Sequence, residues 1–140
     1  MNDSKSSFTL SSDQIADDTA SAARALECVE AFTDRFNARD LAGMDALLHF
    51  PHIILSSETL TVWDGPGQLP ATFFDDLIAA TGWHRSTYWE KRIVLAGPRK
   101  VHLLVEYSRD DAVGMPITVH RNLWVVTFDA GRWGIKQRSY

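Results

Sequence analysis

The chain has 140 residues, which suits one domain, and 45% of them are hydrophobic, as in an ordinary globular protein. The net charge is −4 with scattered basic residues, so we expect no nucleic-acid partner, because phosphate binding needs a concentrated basic face. A single cysteine, Cys28, excludes an internal disulfide and a cysteine-based zinc site. Without an apolar run of ~20 residues or a signal-peptide hydrophobic region, we expect a cytoplasmic protein with no membrane partner.

The N-terminal part of the chain divides into a polar segment and a helix. Residues 1–18 are rich in Ser and Asp and have few apolar residues, so we interpret them as a flexible segment before a single domain at residues 19–140. From Thr19 to about Arg39, apolar residues recur at three- and four-residue spacing, which predicts an amphipathic helix.

Two shorter helices are predicted after the first. Asp40 is placed to cap a helix that runs through Leu48, and Pro51 is expected to stop it. Pro70 suits the first turn of a third helix, and Gly82 suits its C-terminal cap.

Alternating apolar and polar residues predict six strands in the rest of the chain. These strands cover Ile53–Leu55, Thr59–Trp63, Ser86–Leu95, Val101–Ser108, Pro116–Phe128 and Arg132–Tyr140. Helices grouped beside a largely antiparallel sheet make the predicted fold class α+β.

Several local motifs in this order resemble the NTF2-like superfamily, especially its SnoaL-like branch, over about Ala22 to Tyr140. They are the helix end Phe36-Asn-Ala-Arg-Asp40, the short second helix, and Asp129-Ala-Gly-Arg-Trp-Gly-Ile135 followed by Arg138-Ser-Tyr140. The resemblance implies a cystatin-like cone, in which three helices pack on a curved six-stranded sheet around a pocket. It also implies a homodimer formed through the sheet. The superfamily contains isomerases, dehydratases, cyclases, epoxide hydrolases and non-enzymatic carriers, so the fold does not decide the function.

Hairpin geometry predicts which side chains face the pocket. A three-residue turn at Asp129–Gly131 pairs Asn122 with Arg138 and His120 with Tyr140. The neighbouring turns pair Trp89 with Tyr107 and Val105 with His120. The predicted concave, ligand-facing set is Trp89, Ile93, Val101, Leu103, Val105, Tyr107, His120, Asn122, Trp124, Val126, Phe128, Arg138 and Tyr140.

The opposite face is predicted to have a polar end and an apolar end. The polar end contains Glu90, Arg92, His102 and Glu106, and the apolar end contains Val119, Leu123, Val125, Trp133 and Ile135. We expect the apolar end to cover a partner subunit. A one-residue slip in the Asp110–Gly114 loop would instead place His102 and Glu106 beside His120 as a metal site. The preferred register predicts neither a metal nor another cofactor.

The ligand-facing set contains candidates for chemistry. His120 is the candidate for proton transfer, because an imidazole titrates near neutral pH. Asn122 and Arg138 are candidates for binding a carboxylate or carbonyl oxygen. The remaining predicted pocket residues are Phe32, Trp63, Trp89, Tyr107, Trp124 and Tyr140. The alternatives stay open: a His120 bonded to Tyr140 or Asn122 without chemistry, a structural Asn122–Arg138 pair, and core tryptophans.

The resemblance does not imply one known mechanism. Ketosteroid isomerases of the superfamily use a tyrosine of the first helix, a strand-borne carboxylate base and a further carboxylic acid. The approximately matching positions here are Phe32, Ser56 and Trp124. Limonene-epoxide-hydrolase-like enzymes need an Asp-Arg-Asp arrangement, of which only Arg138 has a match here. SnoaL-like cyclases use a His and an Asp as acid/base; His120 could supply the histidine, but no partner carboxylate is evident.

Two functions from different classes therefore remain. The first is binding of a small hydrophobic or aromatic molecule with one polar oxygen, whose enzymatic version is an isomerase, cyclase or dehydratase. The second is a non-enzymatic dimerisation or interaction module whose pocket is filled by its own side chains. A cavity of roughly 300 Å³ or more would favour the ligand-binding function.

Overall fold

The computed structural model describes residues 18–140, so the segment predicted to be flexible lies, apart from Asp18, outside the described residues. Within this range the helices are α1 (Thr19–Asn37), α2 (Leu41–Asp45) and α3 (Phe73–Thr81). The strands are β1 (Leu48–Leu55), β2 (Leu60–Trp63), β3 (Arg85–Ala96), β4 (Lys100–Asp110), β5 (Pro116–Asp129) and β6 (Arg132–Ser139). The predicted α+β class is confirmed.

The strands form a six-stranded sheet in the order β2-β1-β6-β5-β4-β3. Every neighbouring pair is antiparallel except β1 and β6, which are parallel. One side of the sheet, here called the core face, packs against α1. Its central side chains are Val101, Leu103, Val105, Trp124 and Val126, which are buried together with Ala25, Cys28, Val29 and Phe32 of α1. The apolar stripe of α1 therefore forms the core with this face.

The helix ends follow the predicted capping residues. The Asp40 carboxylate accepts a hydrogen bond from the Gly43 amide at 2.9 Å, as an N-cap residue does. Gly82 has φ 78° and ends α3, because a left-handed residue costs little without a Cβ. Helix α3 begins at Phe73 rather than at Pro70, whose carbonyl accepts from the Phe73 amide in the preceding turn.

The prediction that α2 runs through Leu48 and stops at Pro51 is wrong. Helix α2 ends at Asp45, Leu48 already begins β1, and Pro51 lies inside that strand. The pairing of β1 with β6 shifts between Leu48 and Ile53. Proline has no amide to donate, and this irregular stretch requires no ladder bond there.

The β5–β6 turn is also shorter than predicted. Asp129 pairs with Arg132, so the turn contains only Ala130 and Gly131, which have φ 52° and φ 78°. Positive φ at both central residues is typical of a type I′ hairpin, whose twist matches that of the strands. A further irregularity between Val125 and Val126 changes the register again along β6.

The other side of the sheet, here called the outer face, carries exposed apolar side chains. Leu95 and Val119 are 53% and 64% exposed, and the half-buried members include Leu104, Leu123 and Val125. The prediction that Trp133 and Ile135 belong to this face is wrong. The two-residue turn pairs Trp133 with Phe128 and Ile135 with Val126, so Trp133 packs against the core and Ile135 is buried in it. Within residues 18–140 we find no helix that is long and apolar enough to span a membrane.

Candidate functional site

The cavity beside α1 and the core face consists of two neighbouring chambers, which share Phe36, Tyr107, Arg109 and Arg138 in their walls. The inner chamber, about 60 Å³, is lined by Phe32, Thr33, Phe36, Ser86, Tyr107, Arg109, Trp124 and Arg138. The outer chamber, about 380 Å³, is lined by Phe36, Met44, Ile54, Trp63, Leu69, Phe73, Tyr107, Arg109, His120, Asn122, Arg138 and Tyr140. Both chambers have mainly apolar and aromatic walls, and both include the side chains of Arg109 and Arg138.

Arg138 is held at the cavity by β6 and by two aromatic rings. Its Nε donates a hydrogen bond to Nε2 of His52 at 3.0 Å. The guanidinium carbon lies 5.3 Å from the ring centre of Phe32 and 5.5 Å from that of Trp63. Both rings lie at cation–π distance, and the bond to His52 is the hydrogen bond found for this guanidinium within residues 18–140.

Burial lowers the pKa of Arg138 to about 10, an effect partly offset by Tyr107 and Tyr140. The guanidinium therefore remains positively charged at neutral pH. Tyr140 itself is largely exposed and lies at the rim of the outer chamber.

His52 fixes the orientation of Arg138. Its Nδ1 lies 3.0 Å from the carbonyl oxygen of Ile135, which only accepts, so Nδ1 carries the proton and Nε2 is left as the acceptor for Arg138. The imidazole is completely buried. Burial, followed by the charge of Arg138, lowers the pKa of His52 to about 3, although the bond to Ile135 acts in the opposite direction. His52 is therefore neutral and holds the guanidinium of Arg138 in place through its Nε2.

Arg109 is the second cation of the cavity. Its guanidinium carbon lies 6.0 Å from the ring centre of Phe36, and its Nε is buried without a hydrogen-bond partner in the described part of the chain. The ion pairs found between residues 18 and 140 involve other cations. In the same range, neither chamber has an Asp or Glu in its lining.

His120 lies in the wall of the outer chamber, where its ring stacks on Tyr107 with centres 5.0 Å apart and planes at 21°. Its Nε2 is 2.8 Å from the hydroxyl of Thr118, rather than bonded to Tyr140 or Asn122. Burial and then the charge of Arg109 lower the pKa of His120, so the imidazole is neutral at pH 7. A neutral imidazole can accept a proton, which is the state a general base requires.

Asn122 is buried, and its amide already has protein partners. In the orientation that satisfies both neighbours, its Nδ2 donates to the Arg121 carbonyl at 2.9 Å and its oxygen accepts from Trp124 Nε1 at 3.1 Å. The predicted Asn122–Arg138 pair is wrong, because Trp124 lies opposite Arg138. Trp124 also packs edge-on against Phe32 at 5.6 Å.

The structure corrects the prediction for Trp89. Tyr88, rather than Trp89, lies opposite Tyr107, because the β3–β4 register shifts between Tyr88 and Glu90. Trp89 occupies this irregularity and is 63% exposed, away from the cavity. The other predicted site residues lie in the walls of the two chambers: Phe32, Trp63, Tyr107, His120, Asn122, Trp124, Arg138 and Tyr140. The rest of the predicted ligand-facing set does not line either chamber: Ile93, Val101, Leu103, Val105, Val126 and Phe128.

The alternative metal site requires a register that the sheet does not have. Tyr107 pairs with His120, whereas His102 pairs with Val125 and Glu106 with Arg121. His102 and Glu106 therefore point to the outer face, and His120 points to the cavity. In the part of the chain that the structure covers, no group of three metal-ligating side chains is brought together.

Two functional residues were missed from the sequence. Arg109 follows Tyr107 by two positions on the same strand, so the alternation rule already placed it on the core face. His52 had no local signal, because its contact with Arg138 depends on the parallel pairing of β1 with β6, which are about 80 residues apart in the chain.

The fold matches several solved structures. A protein of unknown function with a cystatin-like fold from Nostoc punctiforme has a TM-score of 0.61 at 10% identity, covering 86% of this chain and 90% of the other. An NTF2-like protein with a cystatin-like fold from Novosphingobium aromaticivorans has a TM-score of 0.59 at 12% identity, covering 84% and 79%. A ketosteroid isomerase-like protein from Erwinia carotovora atroseptica has a TM-score of 0.54 at 13% identity, covering 84% and 92%.

No protein-family model and no curated protein sequence matches the chain. At these identities the structural likeness concerns the fold alone. The predicted NTF2-like, or cystatin-like, fold is confirmed.

Proposed function

We propose that this protein of NTF2-like fold binds a small hydrophobic or aromatic molecule that carries a polar oxygen. The observation that carries the proposal is the outer chamber of about 380 Å³, with apolar and aromatic walls and few polar groups. Ligand sites in proteins commonly have this volume and this composition, with the polar groups fixing the orientation of the ligand. In this proposal Arg138 orients the polar end of the ligand, and Phe36 and Trp63 contact its apolar body.

The same volume argues against the alternative of an interaction module with a self-filled pocket. A pocket of that kind would have its own aromatic side chains packed into the space between α1 and the sheet. Here Trp124 packs on Phe32 and Trp63 packs on His52, and the outer chamber remains beside them. This arrangement supports a bound ligand.

The neutral fluorescent probe N-phenyl-1-naphthylamine tests the proposal. We expect saturable binding with one probe per chain and an increase in its fluorescence. Ile54→Trp should fill the outer chamber and weaken binding, whereas Ile53→Trp, on the other side of the same strand, should leave binding unchanged. Absence of saturable binding, or equal loss in both variants, would contradict the proposal.

The enzymatic version of the function, an isomerase, cyclase or dehydratase, uses His120 as the acid/base. Its neutral state and its place in the outer chamber support this role. Among the described residues no carboxylate lines the cavity, so a proton taken up by His120 would return to the ligand or leave through solvent. This route suits proton transfer between two nearby positions of one ligand.

We also propose that the outer face covers a second copy of the chain. The supporting observation is the group of apolar side chains on the outer face, which includes Leu95 and Val119 at more than half exposure. Apolar side chains exposed on one face of a sheet favour association with another protein.

A further inference from the structure

The cavity contains positive charge that no group found within residues 18–140 neutralises. Arg109 and Arg138 both line the inner and the outer chamber. Neither appears among the ion pairs of residues 18–140, and neither chamber has an acidic residue in its described lining. An arginine that is taken out of water normally has a carboxylate partner, because an unpaired buried charge is unfavourable.

Arg121, on the same sheet, is an arginine that has an acidic partner. On the outer face, its Nε and Nη2 donate to one carboxylate oxygen of Glu106 at 3.0 and 2.8 Å. That guanidinium is mostly exposed and still has an acidic partner. The two cavity arginines are less exposed and have no acidic partner within residues 18–140, which distinguishes them from Arg121.

The contacts around Arg138 orient the guanidinium without neutralising it. Among the described residues, the guanidinium donates from Nε to an imidazole that is itself neutral, and the rings of Phe32 and Trp63 flank the group. Arg109 contributes a buried Nε that lacks a partner. Donors are therefore available on two arginines in the same cavity, and an arginine fork matches the geometry of a carboxylate.

We infer that the cavity binds an organic anion in preference to a neutral molecule. Arg138 and Arg109 bind its carboxylate, and the surrounding rings contact its aromatic or apolar body. The inference rests on the proposed ligand-binding function and adds the charge of the ligand. The aromatic walls favour an organic carboxylate over a small inorganic anion, which would leave the apolar part of the outer chamber without contacts.

A matched pair of probes tests the charge: 2-naphthoate, which is an anion at pH 7, and 2-naphthamide, which is its neutral analogue. Isothermal titration calorimetry should show that 2-naphthoate binds at least about tenfold more tightly, since hydrogen bonds to charged groups have the larger effect. Arg109→Gln and Arg138→Gln should each weaken 2-naphthoate binding by about tenfold and change 2-naphthamide binding by less than about twofold. Arg121→Gln is the matched control and should change neither affinity.

Equal binding of the two probes, or tighter binding of the amide, overturns the inference and leaves the ligand-binding proposal intact. Binding of neither probe also overturns the inference, and the ligand-binding proposal is then decided by N-phenyl-1-naphthylamine. If circular dichroism shows that Arg138→Gln is unfolded, Arg109→Gln decides, because it leaves the His52–Arg138 bond in place. An unchanged 2-naphthoate affinity in folded Arg109→Gln would contradict the assignment.

Discussion

The His52 imidazole makes two hydrogen bonds, and both require the neutral form with the proton on Nδ1. Its Nδ1 proton is donated to the Ile135 carbonyl, and its Nε2 lone pair accepts from Arg138. A second proton would remove the acceptor and place a positive charge beside the Arg138 guanidinium in a buried site. The low pKa of His52, about 3, follows from this burial and this neighbour.

The first prediction concerns the effect of His52 on stability at low pH. The imidazole has an ordinary pKa of 6.5 in the unfolded chain and about 3 in the folded one, so the unfolded state binds more protons between these values. The free energy of unfolding should therefore decrease as the pH is lowered from 6.5, by about 1.4 kcal/mol per pH unit from this group alone. Urea unfolding between pH 4 and pH 7 measures this slope.

His52→Asn retains a donor near the position of Nδ1 but cannot be protonated, so its slope over this pH range should be shallower than that of the original protein. The exposed His84 gives the matched control, because His84→Asn should keep the original slope. Equal slopes for the original protein and His52→Asn would contradict the assigned protonation.

The second prediction concerns His120 and belongs to the enzymatic version of the proposed function. His120→Ala should abolish turnover of the native ligand while its dissociation constant changes by less than about threefold, because the imidazole is assigned to proton transfer and the arginines to binding. The native ligand can be recovered from freshly purified protein by native mass spectrometry. An unchanged rate in His120→Ala would contradict a role in proton transfer.

At the scale of elements, the β5–β6 hairpin decides which side chains reach the cavity. Its two-residue turn and the irregularity between Val125 and Val126 together bring Arg138 opposite Trp124. A change of one residue in either feature would move Arg138 to the other side of the sheet, because side chains alternate along a strand. The turn therefore helps to position Arg138 at the cavity, although the turn residues do not line the cavity.

The third prediction concerns this turn. Ala130 has φ 52°, a conformation that costs an alanine roughly 1 kcal/mol, whereas asparagine tolerates it and Asn-Gly is the preferred type I′ pair. We expect Ala130→Asn to increase the free energy of unfolding by about 0.5–1 kcal/mol in urea denaturation. The contrasting variant is Ala130→Val, which should destabilise the protein, because a β-branched residue is poorly compatible with positive φ. A destabilised Ala130→Asn would contradict the assigned turn.

For the whole molecule, the two faces of the sheet have different roles in the proposals above. The core face and α1 enclose the cavity, and the outer face presents apolar side chains to its surroundings.

The fourth prediction follows from the proposed dimer. Sedimentation equilibrium should give twice the mass of one chain, and the double variant Val119→Lys, Leu123→Lys should give the mass of one chain, because two lysines would become buried and unpaired.

Glu58→Lys, a charge change in the exposed β1–β2 turn, is the control and should remain dimeric. A single-chain mass for the original protein would contradict the proposed dimer. The cavity lies on the other side of the sheet, so the double variant should still bind N-phenyl-1-naphthylamine if association and ligand binding are independent.

The sequence by itself determined the α+β class, the positions of most elements and the cavity-facing side of β4 and β5. Helical spacing identifies α1, and alternation identifies both strands and their faces, because these patterns depend on neighbours within a few residues. His120, Asn122 and Trp124 were therefore assigned to the correct side of the sheet, even though their partners on β4 were predicted two positions away.

Only the tertiary structure decided the features that depend on distant parts of the chain. The β3 irregularity moves Trp89 to the surface, and the β6 irregularity brings Arg138 opposite Trp124. The parallel pairing of β1 with β6 brings His52 to Arg138, and the packing of α1 on the sheet leaves Arg109 and Arg138 in one cavity. The spacing of apolar and polar residues along the sequence does not predict these contacts, because the packing of the whole sheet sets register shifts and long-range pairings.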